Sequence, residues 1–250
     1  MNIWMRKVRV AVTPRNWLLK SRLSNGALVF GRNQAGYGGR GVYIFRDNIE
    51  PELDRLEELL PPSAVFVDVG ANTGVYTLKA AKHLQANGVV IAIEPFLDVL
   101  ASLSYSVRVN GFQNVRLRNF CAGEATHAAR LWTNFQKPNS FSLEKKDTSA
   151  WSLSVMMVAL DDLFEWEGLD RLDYLKIDAE SSEPRVLAGA KRTITRYRPI
   201  IQMEVSVKDL GFRFESYKAF QAFGSPNCIY IPDDHEKVKL PEQFGWRAIS

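Results

Sequence analysis

Between Ser63 and Leu78 the chain reads SAVFVDVGANTGVYTL: an apolar run closing on Asp68 and Val69, five residues with glycine at both ends, then the start of a helix. A short apolar run bounded by a glycine turn predicts a fully buried strand, and a strand entering a helix through such a turn predicts one unit of a parallel sheet. Gly70 and Gly74 permit backbone angles and a close ligand approach that a side chain would obstruct. The helix start predicts unpaired backbone N–H groups beside the turn. Together these features predict a ligand-binding turn at the carboxyl edge of a sheet.

Strand-like and helix-like segments keep alternating after this unit. A helix from Val75 to about Ala86 leads to the strand VVIAIE, a second helix from Pro95 to about Val109 leads to NVRLRNF, and DYLKI, EPRVLAGAKRTITRY and PIIQME repeat the pattern further on. In the last helix Ser182 is the expected N-cap and Pro184 suits the first turn. The middle of the chain is less regular, with SLSVMMVAL its clearest strand, and NCIYIP predicts a terminal strand pair. The expectation is an α/β, doubly wound, mostly parallel sheet. Ahead of it, IEPELDRLEELLPP places Leu53, Leu56, Leu59 and Leu60 on one helical face and stops at Pro61. The main domain is expected to span residues 56–250, with 1–55 forming a basic arm of short strands and turns.

Charge divides the chain near the same place. Residues 1–46 hold nine Lys or Arg and no Asp or Glu, whereas the remainder holds 23 basic and 28 acidic side chains. Such an arm suggests contact with an anionic lipid, glycan or phosphorylated substrate, including weak contact with a membrane surface; a solvated, partly helical extension is the favoured, plainer alternative. Nucleic acid is not an expected partner, since no recognised binding motif accompanies the charge. Cys121 and Cys228 lie far apart without C-x-x-C spacing, which predicts neither a disulfide framework nor a metal knuckle and fits a cytoplasmic protein. No apolar run reaches membrane-spanning length, and the charges in MNIWMRKVRVAVTPRNW are unlike a secretory signal. Nothing in the sequence indicates an oligomeric state.

The ligand of the glycine turn is narrowed by what is missing. A phosphate loop needs G-x-x-x-x-G-K-[ST] and a dinucleotide turn G-x-G-x-x-G, but position 72 is Asn and position 75 is Val. Asp68, expected on the turn, would repel phosphate and suit an ammonium or sulfonium group. Glu94 follows Gly74 by twenty residues, at a strand end where a carboxylate accepts from both ribose hydroxyls. S-adenosylmethionine meets the description of a ligand with ribose and a cationic end but no pyrophosphate. Its expected site comprises Asp68, Gly70, Asn72, Gly74 and Glu94, with Phe96 either stacked on adenine or in the core, and Cys121 and Ala122 beside the adenine.

A second group of acids falls on the same edge. Asp178 ends the DYLKI strand, Glu180 and Glu183 follow on the turn, and Glu204 ends PIIQME. An alcohol becomes an effective nucleophile when its proton is removed during attack, so Asp178 is the first candidate base or hydroxyl anchor and Glu204 the second. In an alternative arrangement Asp178, Glu180 and Glu204 gather a Mg²⁺-like divalent metal; it ranks behind the metal-free one. Glu183 is expected to serve its helix N-terminus. Lys176 would pair with a nearby acid, Asn139, Ser140 and Ser142 read as a polar loop or the acceptor side, and His83, His127 and His235 have no evident catalytic partner.

Taken in order, FVDVGANTGVYTL, AIEP, LDDL, LKIDAESSEPRVLAGA and RPIIQME resemble the FkbM family of S-adenosylmethionine-dependent methyltransferases over about residues 60–235. The resemblance implies a class I methyltransferase fold with seven mostly parallel strands, and O-methylation of a hydroxyl on a small molecule, sugar, glycolipid or related metabolite. The basic arm lies outside the matched stretch. Ser181 departs from the family's E-G-x-E, and because serine resists a positive φ the turn is expected to be reshaped or strained. That departure keeps a catalytically silent adenosyl-binding module open as a rival; an NAD(P)-dependent oxidoreductase is disfavoured by the missing third glycine.

Overall fold

The computed structural model describes residues 1–134, 137–142, 151–204 and 214–249. Its centre is an eight-stranded sheet. Five strands run parallel: β3 (Val65–Val69), β4 (Val89–Ile93), β5 (Val115–Arg118), β10 (Tyr174–Ile177) and β11 (Ile200–Met203). Beyond β11 lie β13 (Cys228–Pro232), β12 (Tyr217–Gln221) and β14 (Arg247–Ile249), giving the order β14-β12-β13-β11-β10-β3-β4-β5. β13 is antiparallel to both β11 and β12, so it is the one reversed strand among the first seven; β14 adds an eighth, three-residue edge strand. This is a class I methyltransferase, Rossmann-like architecture.

Both faces of the sheet are covered, which explains why β3 and β10 are buried along their whole length, Asp68 and Lys176 included. Strand periodicity sorts their side chains into two cores. Val65, Val67 and Val69 face one core with Leu175 and Ile177, against α6 (Leu160–Glu167), α7 (Glu183–Ala188) and α8 (Lys191–Tyr197). Phe66 and Tyr174 face the other, against α3 (Leu56–Leu59) and α4 (Val75–Leu84). The four leucines of the IEPELDRLEELL segment are all buried there, although only α3 is α-helical and Pro51–Arg55 forms a 3-10 turn. The helix expected over residues 183–197 divides into α7 and α8. At the break, Asp161 N–H donates to the Gly189 carbonyl at 2.8 Å.

The order of the strands creates the site. After β5 the chain returns to place β10 beside β3, so the carboxyl ends of β3, β4 and β10 frame a crevice. A four-stranded sheet lies on that side, with order β6-β9-β7-β8: β6 (Cys121–Ala122), β7 (His127–Asn134), β8 (Lys137–Ser142) and β9 (Trp151–Val158). Of these, sequence periodicity reveals β9 alone.

The basic N-terminal region is not an extension. After α1 (Ile3–Val12), β1 (Leu18–Arg22) and β2 (Leu28–Arg32) form a hairpin followed by α2 (Gly39–Phe45). The hairpin is fastened to α5 (Leu97–Asn110): Leu28 N–H donates to Asn110 Oδ1 at 2.8 Å and Phe30 N–H to Ser106 Oγ at 2.9 Å. Leu23, Ala27, Val29 and Val42 share a core with Leu78, Leu103 and Val107. Lys79, buried in α4, pairs with Asp47 at 2.9 Å. The expected boundary near residue 55 is therefore crossed by packing, hydrogen bonds and an ion pair.

Candidate active site

A cavity partly open to solvent lies at the carboxyl edge of the sheet. Gly70, Asn72, Glu94, Cys121, Ala122, Asp178 and Glu180 all line it, so the two turns singled out in the sequence meet in one place. Leu131 from β7 and Met157 from β9 close the opposite wall.

The β3–α4 turn is internally saturated. Gly70 and Ala71 N–H donate to the Ile93 carbonyl (3.0 Å each), and Asn72 N–H donates to Glu94 Oε2 (3.0 Å). Thr73 N–H donates to Asn72 Oδ1 and Gly74 N–H to the Ala71 carbonyl, both at 2.8 Å. The backbone N–H groups of residues 70–74 are thus all used, by the Ile93 carbonyl, by Glu94 and by the turn's own residues; of the N–H groups expected to be free at the helix start, that of Thr77 donates to Asp68 Oδ2. Gly70, at φ 73°, is required for close approach of chain to chain: a Cβ there would run into the Asp178 carbonyl oxygen. Gly74, at φ 81°, does not line the cavity; a Cβ there would strike the Leu103 side chain of α5.

Glu94 is the buried anchor of this half. Its second oxygen, Oε1, accepts from Phe96 N–H at 2.8 Å. Burial raises its carboxyl to about 7, against the lowering effect of the two backbone donors. An ionised carboxylate offers about four acceptor positions, so two N–H bonds leave capacity for a diol.

One expectation for this half is corrected, and Phe96 takes the core position of its two alternatives. Asp68 does not sit on the turn: it lies within β3, is fully buried, and shares the strand face of Phe66. Its Oδ2 accepts from Thr77 Oγ1 at 2.6 Å and Thr77 N–H at 3.1 Å, and Oδ1 lies 3.5 Å from Lys176 Nζ. Asp68 fastens α4 to the sheet beneath the site. Phe96 is also outside the cavity lining; its ring packs with Tyr37 from the N-terminal region, centroids 5.5 Å apart.

On the β10 side, Asp178 follows the strand, and its N–H donates to the Val69 carbonyl at 3.0 Å, locking the two turns together. Its carboxylate lines the cavity with the side chain 41% exposed, and Oδ2 lies 3.4 Å from Lys176 Nζ. Lys176 is buried between Asp178 and Asp68. Burial alone would lower its pKa, but the two carboxylates outweigh that penalty and raise it, so the ammonium stays charged.

Glu180 and Ser181 hold positive φ angles of 49° and 75°. The turn keeps the left-handed geometry that glycine would adopt, so Ser181 brings strain without opening the turn. Glu183 is buried and accepts from Ala179 N–H at 3.0 Å, a local structural role. Ser182, the expected N-cap, makes no side-chain cap bond and lines the cavity instead.

Glu204 ends up exposed beyond β11 and does not line the cavity; partial burial, then Asp178 and Glu183, raise its pKa. Among the described residues no group of three His, Cys, Asp or Glu is arranged to hold a metal, so Asp178, Glu180 and Glu204 do not form the cluster considered above. The side chains of Asn139, Ser140 and Ser142 lie outside the described residues. The Cys121 thiol, pushed up to about 11 by burial, stays protonated on the cavity wall. Leu131, Met157 and Ser182 are lining residues that sequence reasoning missed; the apolar stretch around Met157 was the available signal.

Comparison with known proteins places both turns inside one matched region. A family model described as the methyltransferase FkbM domain matches residues 68–228. The 31-O-demethyl-FK506 methyltransferase FkbM of Streptomyces tacrolimicus is 27% identical over 201 residues, with 68% of this chain and 75% of that protein covered. The crystal structure of methyltransferase FkbM from Methylobacillus flagellatus KT matches with a TM-score of 0.50 and 21% identity, over 77% of this chain and 53% of that one. The chain thus spans about half the length of that solved relative, a likeness that concerns the fold.

Proposed function

The chain belongs to the FkbM methyltransferase family, and from that premise we propose that it transfers a methyl group from S-adenosylmethionine to a hydroxyl oxygen of a sugar, glycolipid or related secondary metabolite. The observation that carries the donor assignment is the bonding of the β3–α4 turn. Every backbone N–H from Gly70 to Gly74 donates within the protein, which leaves that turn no free backbone N–H for a phosphate, while Glu94 keeps acceptor capacity in the cavity wall. A nucleoside without phosphates fits this turn and a pyrophosphate does not, which argues against the oxidoreductase reading.

S-adenosylmethionine, when bound, supplies a sulfonium-activated methyl group. Glu94 binds the ribose hydroxyls, and Gly70 and Asn72 shape the adjoining wall. Asp178 presents a partly exposed carboxylate to the acceptor side, where it orients the hydroxyl and accepts its proton; Lys176 fixes that carboxylate from below. Leu131 and Met157 exclude water from the opposite wall. The name of the Streptomyces relative specifies an oxygen-linked methyl site, which supports a hydroxyl acceptor here.

The test is calorimetric titration of the full chain with S-adenosylmethionine and S-adenosylhomocysteine, repeated on Glu94→Ala. Micromolar binding to both, weakened at least about tenfold in the variant, followed by methyl transfer to a hydroxylated acceptor, is the expected result. A folded wild type that binds neither ligand, or that prefers NAD(P)H, overturns the proposal.

A further inference from the structure

The first helix is amphipathic in an unusual sense: its apolar face points to solvent. α1 packs on α2 through Val10, which meets Leu19 and Tyr43, and through Arg6, whose guanidinium donates to the Ile44 carbonyl at 2.8 Å. At 3.6 residues per turn the opposite face carries Trp4, Met5, Val8, Ala11 and Val12. These are not grazing exposures: Trp4 is 70% and Val12 75% exposed, and Trp17 just beyond the helix is 62% exposed. Lys7 and Arg9 flank the apolar face on either side.

A solvent-facing apolar stripe with a tryptophan, bordered by cations and carried on a segment without one acidic residue through position 46, matches the chemistry of a lipid interface. The stripe enters the acyl boundary, the indoles sit at headgroup level, and the cations meet lipid phosphates. A second copy of the chain is a poorer occupant, because pairing α1 with α1 would bring the Lys7 and Arg9 borders of both copies together. The helix is also held in place: α2 anchors its inner face, and Gly38 at the start of α2 packs against the Asn72 side chain of the site turn.

We propose that α1 and Trp17 form a docking surface for an anionic lipid bilayer, with α1 lying flat in the interface. The surface stands on the exposure of α1 and the charge around it, independently of the methyltransfer reaction.

Sedimentation of the full chain with phosphatidylcholine vesicles, and with vesicles containing about one third phosphatidylglycerol, tests it. The expected result is binding to the anionic vesicles alone, suppressed at about 1 M salt, and weakened at least about tenfold by Trp4→Glu or separately by Val12→Glu. Both substitutions are at exposed positions, and an unchanged thermal melt of either variant shows that folding survives. Quenching of tryptophan fluorescence by brominated lipid, reduced in Trp4→Phe, reports insertion. Equal binding to neutral vesicles, no binding, or indifference to both Glu substitutions overturns the proposal. So does a dimer in sedimentation velocity that Trp4→Glu dissociates, which would assign the face to a second copy.

Discussion

The β3–α4 turn and the β10–α7 turn face each other across one cavity but are built in opposite ways. In the first, two of the three left-handed positions are glycine, Gly70 and Gly74, and every backbone N–H from residue 70 to 74 donates, within the turn, to the Ile93 carbonyl or to Glu94. In the second, left-handed positions fall on Glu180 and Ser181, and a partly exposed carboxylate is held by a buried lysine. On the proposed function, the first serves as a pre-formed receptor, with its hydrogen bonds made before any ligand arrives. On the same reading, the second keeps charge and strain at the acceptor side, where chemistry needs a group that is not already saturated.

The contact between the turns is the most sensitive point of the comparison. Gly70→Ala would bring a Cβ onto the Asp178 carbonyl while placing alanine at φ 73°. Overpacking and a left-handed backbone together predict a loss of about 2 to 5 kcal/mol, measured by denaturant unfolding, with both donor binding and turnover lost. Stability within about 0.5 kcal/mol of wild type would mean that the two turns are not locked.

Asp178→Asn separates the two halves functionally. Turnover is expected to fall by about 10²- to 10⁴-fold, the range for removing a general base, while the donor dissociation constant changes by less than about threefold. Lys176 retains Asp68 as a partner in the variant, so the fold should persist. If donor affinity falls as steeply as turnover, Asp178 belongs to the donor half and the division fails.

Much of this division was readable in advance, because the features that carry it are local. A strand, two glycines, and Glu94 at the following strand end predict a nucleoside site from short-range pattern alone. Asp68 was misplaced although its parity with Phe66 puts it on the α4 face, just as Lys176 shares parity with Tyr174. Turn saturation was not readable, since it depends on Asn72 folding back and on Glu94 arriving from another strand. Nor was most of the second sheet: β9 reads as a strand, but its partners β6 and β7 do not, and β9 pairs with β7 across the intervening β8 in sequence. Charge suggested an arm where alternating burial in β1 and β2 marks a packed hairpin.

A smaller effect is expected from pH. Glu94 has a folded-state pKa of about 7, above its ordinary 4.5, so the folded chain holds this proton where the unfolded chain has lost it. Its contribution to stability is therefore present below about 4.5 and lost as pH rises through about 7. Donor binding should move the other way, since ribose hydroxyls donate to the ionised form. Between pH 6 and 8 the unliganded melting temperature should fall while affinity for S-adenosylhomocysteine rises by roughly three- to tenfold. Parallel trends would show that Glu94 does not accept the ribose, and the receptor half would lose its anchor.

The smallest expected effect bears on strain. Ser181 adopts φ 75°, a conformation open to glycine and resisted by a residue with a Cβ. Ser181→Gly relieves that resistance but gives the unfolded chain more freedom, so the net stabilisation should be only about 0.5 kcal/mol. Chemical denaturation of the two proteins side by side measures it, with donor titration as the control that the first turn is untouched. The informative quantity is turnover. If the strained serine holds Glu180 and Ser182 in their positions on the cavity wall, the glycine variant should be more stable yet slower by about two- to fivefold, in the usual trade between local stability and an over-determined site. A variant that gains stability and keeps full turnover would make the strain incidental, and the contrast between the turns would then rest on charge alone.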